Sequence, residues 1–168
     1  EEFAVTNLMA WSPDSEYLAF VRFDESEVPE YSMQMYGEGL YPGYYEYKYP
    51  KAGQKNSKVS VHSYSVVTKD TKEMKVPVEG DFYIPRITFT QNPDQLAIMT
   101  LNRQPNVFNM YYANPKSGVF RLILREENKC YVDSDWLTSI QFLNNGFTYV
   151  SEQDGYSHIY LYSPTGVM

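Results

Sequence analysis

The sequence predicts an all-β chain: a fragment of a β-propeller, about three consecutive four-stranded antiparallel blades. Three observations predict it. Short β-branched and aromatic runs bounded by Pro, Asn, Asp and Gly recur along the whole chain, while helical periodicity is scarce. Aromatic residues make up 17% of the 168 residues, against 21% charged, which suits sheets with amphipathic aromatic walls better than a helical bundle. The runs also repeat at a spacing that matches stacked sheets.

The first copy reads Ala10-Trp11-Ser12-Pro13-Asp14 followed by Leu18-Ala19-Phe20. The second reads Thr88-Phe89-Thr90-Gln91-Asn92 followed by Leu96-Ala97-Ile98, with seven residues from aromatic to leucine in both. A third, Gln141-Phe142-Leu143-Asn144-Asn145-Gly146 running into Phe147-Thr148-Tyr149-Val150, has the same strand, polar turn and strand with two residues fewer in the turn. Further strands are expected at 106–113 and 157–162. Upstream, Asp81-Phe82-Tyr83-Ile84 precedes Phe89 as Asp135-Trp136-Leu137 precedes Phe142, which predicts a strand at each and a repeat of 53 residues from Phe89 to Phe142. Blades of this kind bury their faces only against neighbouring blades. Three blades cannot close a ring, so partner blades are expected in a longer parent. A stand-alone β-sandwich is the alternative on pattern alone.

Trp11, Phe89 and Phe142 occupy corresponding repeat positions, where packing between adjacent blades is the ordinary role. Between Phe23 and Lys58 the first copy carries an insertion, 28–56, with seven tyrosines from Tyr31 to Tyr49 and no regular strand pattern. Long tyrosine-rich loops suit contact surfaces, because the ring adds area at little rotamer cost. A partner-contacting arm and an extended hairpin covering its own blade edge are both open readings of this composition.

Charge and composition exclude several classes. Lys plus Arg is 14 and Asp plus Glu is 21, a net charge of 14 − 21 = −7, which disfavours a nucleic-acid partner. Cys130 is the only cysteine, so no internal disulfide or multi-cysteine metal site can form, and a plain buried or half-buried thiol is expected. The uncharged apolar stretch from Leu96 to Leu101 is far short of the roughly 20 residues a membrane helix needs. The opening Glu1-Glu2 has no signal-peptide character, and Ser163-Pro164-Thr165-Gly166 reads as a turn between strands, so the chain is expected to be a piece of a longer protein.

Local candidates for chemistry are few. His158 near Asp154 has the grammar of a turn entering a strand. His62 stands in a predicted strand without a ligand companion, and Asp133-Ser134-Asp135 lacks the glycine and terminal glutamate of a calcium loop. Neither a metal nor a cofactor is implied.

Five stretches carry a resemblance: Glu1-Glu2-Phe3, Ala10-Trp11-Ser12-Pro13, Phe23-Asp24-Glu25-Ser26-Glu27-Val28-Pro29, Tyr49-Pro50-Lys51-Ala52-Gly53 and Asp154-Gly155-Tyr156-Ser157-His158-Ile159-Tyr160. Together they resemble the propeller domain of the dipeptidyl peptidase IV family, in a bacterial rather than an animal style. The resemblance implies a serine exopeptidase that removes dipeptides, with proline or alanine second, from peptide N-termini. It implies an eight-bladed propeller, here from the fourth to the seventh blade, over an α/β-hydrolase domain that holds the Ser, Asp and His triad. That domain is expected to lie outside this chain: no Gly-x-Ser-x-Gly occurs, the only histidines are His62 and His158, and no catalytic residue is assigned.

Glu1 and Glu2 match the acidic pair that the family directs into its central cavity to bind the substrate's α-ammonium group. Without the resemblance, an acidic pair at a terminus reads as solvated and frayed. The insertion matches the family's dimerisation extension, which implies a homodimer with 28–49 near the contact and a periplasmic or cell-envelope parent. The competing class is a propeller that serves only as a protein-binding or sensor module, with the same blades but no acidic anchor.

Overall fold

The computed structural model describes Val5 and residues 7–168. Among these the strands run β1 (Met9–Trp11), β2 (Tyr17–Asp24), β3 (Glu30–Met35), β4 (Gly43–Lys48), β5 (Lys58–Ser65), β6 (Thr71–Met74), β7 (Phe82–Phe89), β8 (Leu96–Asn102), β9 (Val107–Ala113), β10 (Phe120–Glu127), β11 (Gln141–Leu143), β12 (Gly146–Ser151) and β13 (His158–Tyr162), with a 3-10 helix at Ser134–Ser139. They form two four-stranded sheets, β1-β2-β5-β6 and β10-β9-β8-β7, a three-stranded sheet, β11-β12-β13, and a separate hairpin, β3-β4. The chain divides into two compact units, Phe23–Val59 and the remainder.

The sequence repeat is a register in space. Trp11 lies directly opposite Leu18, Phe89 opposite Leu96, and Phe142 opposite Phe147. The loops between them close alike: Ser12 N–H donates to Tyr17 O at 2.9 Å and Thr90 N–H to Gln95 O at 3.0 Å. The third copy drops two residues by starting β12 at Gly146, whose φ is 152°. A Cβ there would stand 2.0 Å from Tyr162 O, so only glycine lets β12 start this close to β13.

The middle sheet is buried on both faces. Its central strand β8 is buried from Leu96 to Leu101, as expected for a strand with neighbours above and below. Ala97, Met99 and Leu101, alternating along β8, join Phe108, Met110 and Tyr112 against Phe147, Tyr149 and Tyr162 of the third sheet. Phe108 stacks on Tyr149 with centroids 5.5 Å apart, and Phe147 on Tyr162 at 5.1 Å. β7 tolerates Pro85 because it is an edge strand whose register shifts between Tyr83 and Arg86. After that bulge the half-buried Arg86 reaches the third sheet's helix, donating to Leu137 O at 2.8 Å, Thr138 O at 3.3 Å and Ile140 O at 3.4 Å. Carbonyls at a helix end have no partner within the helix, and Arg86 supplies one.

Four expectations need correction. Trp136-Leu137 belongs to the 3-10 helix and not to a strand, while Phe82 and Phe89 share the single strand β7. Asp133 caps that helix by accepting from Asp135 N–H at 2.9 Å, and such a cap favours a helical turn over an extended run. The insertion is not without regular structure, because β3 and β4 pair across six residues each. Trp11 is 55% exposed instead of packed like Phe142, which lies against the core. Cys130 is exposed, on the segment between β10 and the helix, where no sheet covers it.

Candidate functional site

Two of the motifs that carry the resemblance, Phe23–Pro29 and Tyr49–Gly53, lie in one feature, the Phe23–Val59 unit. Direct cross-strand pairs in an antiparallel hairpin share a face. Tyr31, Met33 and Met35 pair with Tyr47, Tyr45 and Gly43, whereas Glu30, Ser32 and Gln34 pair with Lys48, Glu46 and Tyr44. One face is therefore aromatic and thioether, and the other is mostly polar, with Lys48 Nζ 3.2 Å from Glu30 Oε1. The Tyr31 and Tyr47 rings meet edge to face at 5.9 Å, and Tyr45 lies 5.4 Å from Tyr47. The residues between the strands carry the most exposed apolar side chains: Leu40 is 98% and Tyr41 88% exposed.

Glu27-Val28-Pro29 and Tyr49-Pro50-Lys51-Ala52-Gly53 meet at the base of this arm. Tyr49 N–H donates to Pro29 O at 3.0 Å, and Val28 is buried. Lys51 Nζ sits 5.1 Å above the Tyr31 ring, a cation–π contact. Gln54 N–H donates to Lys51 O at 2.9 Å around Gly53, whose φ of 80° suits glycine.

Glu27 then ties the two ends of the unit together, with Oε2 2.6 Å from Lys55 Nζ and Oε1 2.9 Å from Lys58 Nζ. The Lys55 hydrogen bond first, then that of Lys58, hold its carboxyl down at about 2. A depressed folded value means the clasp contributes fully above the unfolded carboxyl range and is lost as pH falls through about 2. An NMR titration of the Glu27 carboxyl should show that midpoint. Glu27→Gln should speed amide exchange at Tyr49 with little change in melting temperature, since water screens exposed ion pairs and they contribute little to global stability.

The other sequence candidates fall in separate places. Glu1 and Glu2 lie outside the described residues. His158 begins β13 after a turn, with Nε2 3.8 Å from Asp154 Oδ2. His62 has a companion on its own strand: Ser60 Oγ is 3.0 Å from its Nε2, and the His62 ring stacks on Phe20 at 5.4 Å. The i,i+2 alternation of a strand was the available signal. A flat strand offers neither the sharp elbow nor the aimed amides that make such a pair a nucleophile. Among the described residues no three His, Cys, Asp or Glu side chains converge to hold a metal ion.

Packed sheets with recurrent strand register, interrupted once by a tyrosine-faced arm, define a segment of a β-propeller. The chain belongs to the dipeptidyl peptidase IV N-terminal region family, whose model matches residues 1–168. The crystal structure of Porphyromonas gingivalis dipeptidyl peptidase 4 superposes with a TM-score of 0.93 at 60% identity, covering 100% of this chain and 24% of that one. Dipeptidyl peptidase 4 of Arthroderma otae is 30% identical over 185 residues, 99% of this chain and 23% of its own. Dipeptidyl-aminopeptidase B of Aspergillus niger is 26% identical over 189 residues, 98% of this chain and 21% of its own. The chain thus spans less than a quarter of the length of these relatives.

Proposed function

We propose that this chain is the part of a serine dipeptidyl peptidase's propeller that restricts access to the catalytic centre and anchors the substrate's free amine. The parent releases Xaa-Pro or Xaa-Ala dipeptides from peptide N-termini, using a Ser, Asp and His triad on an α/β-hydrolase domain outside this chain. The observation that carries the reading is the likeness to the P. gingivalis enzyme over the whole chain, arm included. Glu1 and Glu2 are the anchor: two carboxylates in a partly dehydrated cavity bind an ammonium by charge-assisted hydrogen bonds and fix its distance to the scissile bond. Dipeptide length then follows from geometry.

The test is the full-length parent on a glycyl-prolyl reporter and on its N-acetylated form. Cleavage of the first and not the second is expected; cleavage of neither would leave the propeller as a binding module.

The arm is the dimer contact of this reading, and the parent is a homodimer at the periplasmic face or cell envelope. Its support is the exposed Leu40 and Tyr41 at the hairpin end, since a specific interface needs about 800 Å² per partner with aromatic anchors. Leu40→Glu with Tyr41→Glu in the full-length protein should shift light scattering from dimer to monomer and leave the melting temperature unchanged. An unaltered dimer after deletion of 28–49 would remove the arm from the interface.

A further inference from the structure

After its third strand each sheet makes a similar tight turn, one residue shorter in the third sheet than in the first two. In the second sheet Gly118 N–H donates to Asn114 O at 2.8 Å and Asn114 N–H to Val119 O at 3.0 Å. In the third sheet Gly166 N–H donates to Ser163 O at 3.0 Å and Ser163 N–H to Val167 O at 2.8 Å. In the first sheet Lys69 N–H donates to Ser65 O at 2.8 Å and Ser65 N–H to Asp70 O at 2.9 Å. The closing residues are left-handed in all three, with φ of 76° at Gly118, 85° at Gly166 and 60° at Lys69.

Two of these turns are gripped by the sheet before them. Lys72 of β6 donates through Nζ to Ser117 O at 2.6 Å and Lys116 O at 3.3 Å, while Ser63 Oγ donates to Pro115 O at 2.8 Å. Arg121 of β10 donates through Nη2 to Pro164 O at 3.2 Å. Lys72 and Arg121 hold the same place, each three residues beyond its own sheet's left-handed residue, Lys69 or Gly118. Turn carbonyls lack ladder partners, and a long cation reaching across from the neighbouring sheet satisfies them with charge-assisted bonds. The approach is close: a Cβ at Gly118 would lie 3.2 Å from Lys72 Cε, and one at Gly166 1.9 Å from Ile123 O.

The first sheet's own turn, Ser65–Lys69, has the same shape, with Val66 and Val67 exposed and no described side chain donating to their carbonyls. On the far edge of the same sheet, Met9 and Trp11 of β1 stand exposed opposite Phe20 and Leu18. We propose that this turn and this apolar face are the acceptor half of a third clasp, taken by a Lys or Arg on the outer strand of another sheet of the same parent chain. Both clasps present here join consecutive sheets, and the chain spans less than a quarter of its relatives. A second copy or an unrelated partner has no reason to carry a cation at this register. Lys69 in the glycine's position also sets the style of contact. Its Cβ leaves room for a side chain, as Lys72 lies over Gly118, and none for a backbone seated as β10 is on Gly166.

The test uses the full-length parent, labelled with hydroxyl radicals when dilute and when concentrated. Met9 and Trp11 should be oxidised at least about tenfold more slowly than in the unfolded chain at both concentrations. In the sheet preceding residue 1, Met should replace the basic residue three positions beyond the left-handed turn residue. Amide exchange at Thr68 and Lys69 should then rise by about tenfold, as Lys72→Met should raise it at Ser117 and Gly118. Free labelling of Trp11 in the dilute protein, protection only when concentrated, the absence of a basic residue at that position, or unchanged exchange would each overturn the proposal.

Discussion

Alanine at both Glu1 and Glu2 in the full-length parent is expected to cut kcat/KM on a glycyl-prolyl reporter by at least about 100-fold. Each carboxylate's hydrogen bond to an ammonium is of the charged kind, about 1.5–3 kcal/mol, which corresponds to roughly 10–150-fold per residue. The split between constants is the informative part. If the pair only adds affinity, KM rises and kcat stays. An anchor that also sets how far the scissile bond lies from the nucleophile should lower kcat as well, because a misplaced substrate loses attack geometry. Glu1→Gln and Glu2→Gln keep the shape and remove the charge, so they should retain part of kcat while still raising KM. Kinetics unchanged in the double variant would leave the propeller without a role in binding the amine.

The sheets were legible in the sequence because their period is written twice, once as the two-residue alternation within strands and once as the aromatic-to-leucine spacing between them. Trp11 with Leu18 and Phe89 with Leu96 appear as seven-residue spacings in sequence and as opposed pairs in the sheets. The arm's hairpin was not legible. Tyrosine stands on both of its faces, Tyr45 on one and Tyr44 on the other, so the alternation that marks a half-buried strand is blurred. The Ser134–Ser139 helix escaped because two turns of 3-10 helix are too short to show a periodicity, although Asp133 as its cap was visible. The turn at Ser163–Gly166 was legible, but its recurrence in all three sheets was not, because one of the three uses Lys69 where the others have glycine. Exposure of Trp11 depends on a neighbour, which repeat position alone does not supply.

Phe147→Ala should produce the largest loss of stability of any single change in the third sheet, about 3–5 kcal/mol. Phe147 is fully buried on β12, the strand paired on both sides, where it stacks against Tyr162 with the planes 8° apart and lies 6.1 Å from Phe142. The size of the loss turns on whether the hole can close. β12 cannot move toward β13, because at Gly146 the two backbones already approach too closely for a Cβ. It cannot tilt toward the second sheet either, since Tyr149 two residues on is stacked on Phe108. A ring-sized cavity therefore persists, and the penalty lies toward the upper end of that range. Phe147→Leu fills most of the volume and should cost less than about 1.5 kcal/mol. Trp11→Ala, at the other end of the repeat, should approach the same cost in the full-length parent, where the proposed third clasp covers a ring that this chain leaves 55% exposed. Calorimetry of the full-length variants orders the three, and a Phe147→Ala transition within a degree or two of the parent's would mean that the packing of the third sheet on the second does not hold the propeller together.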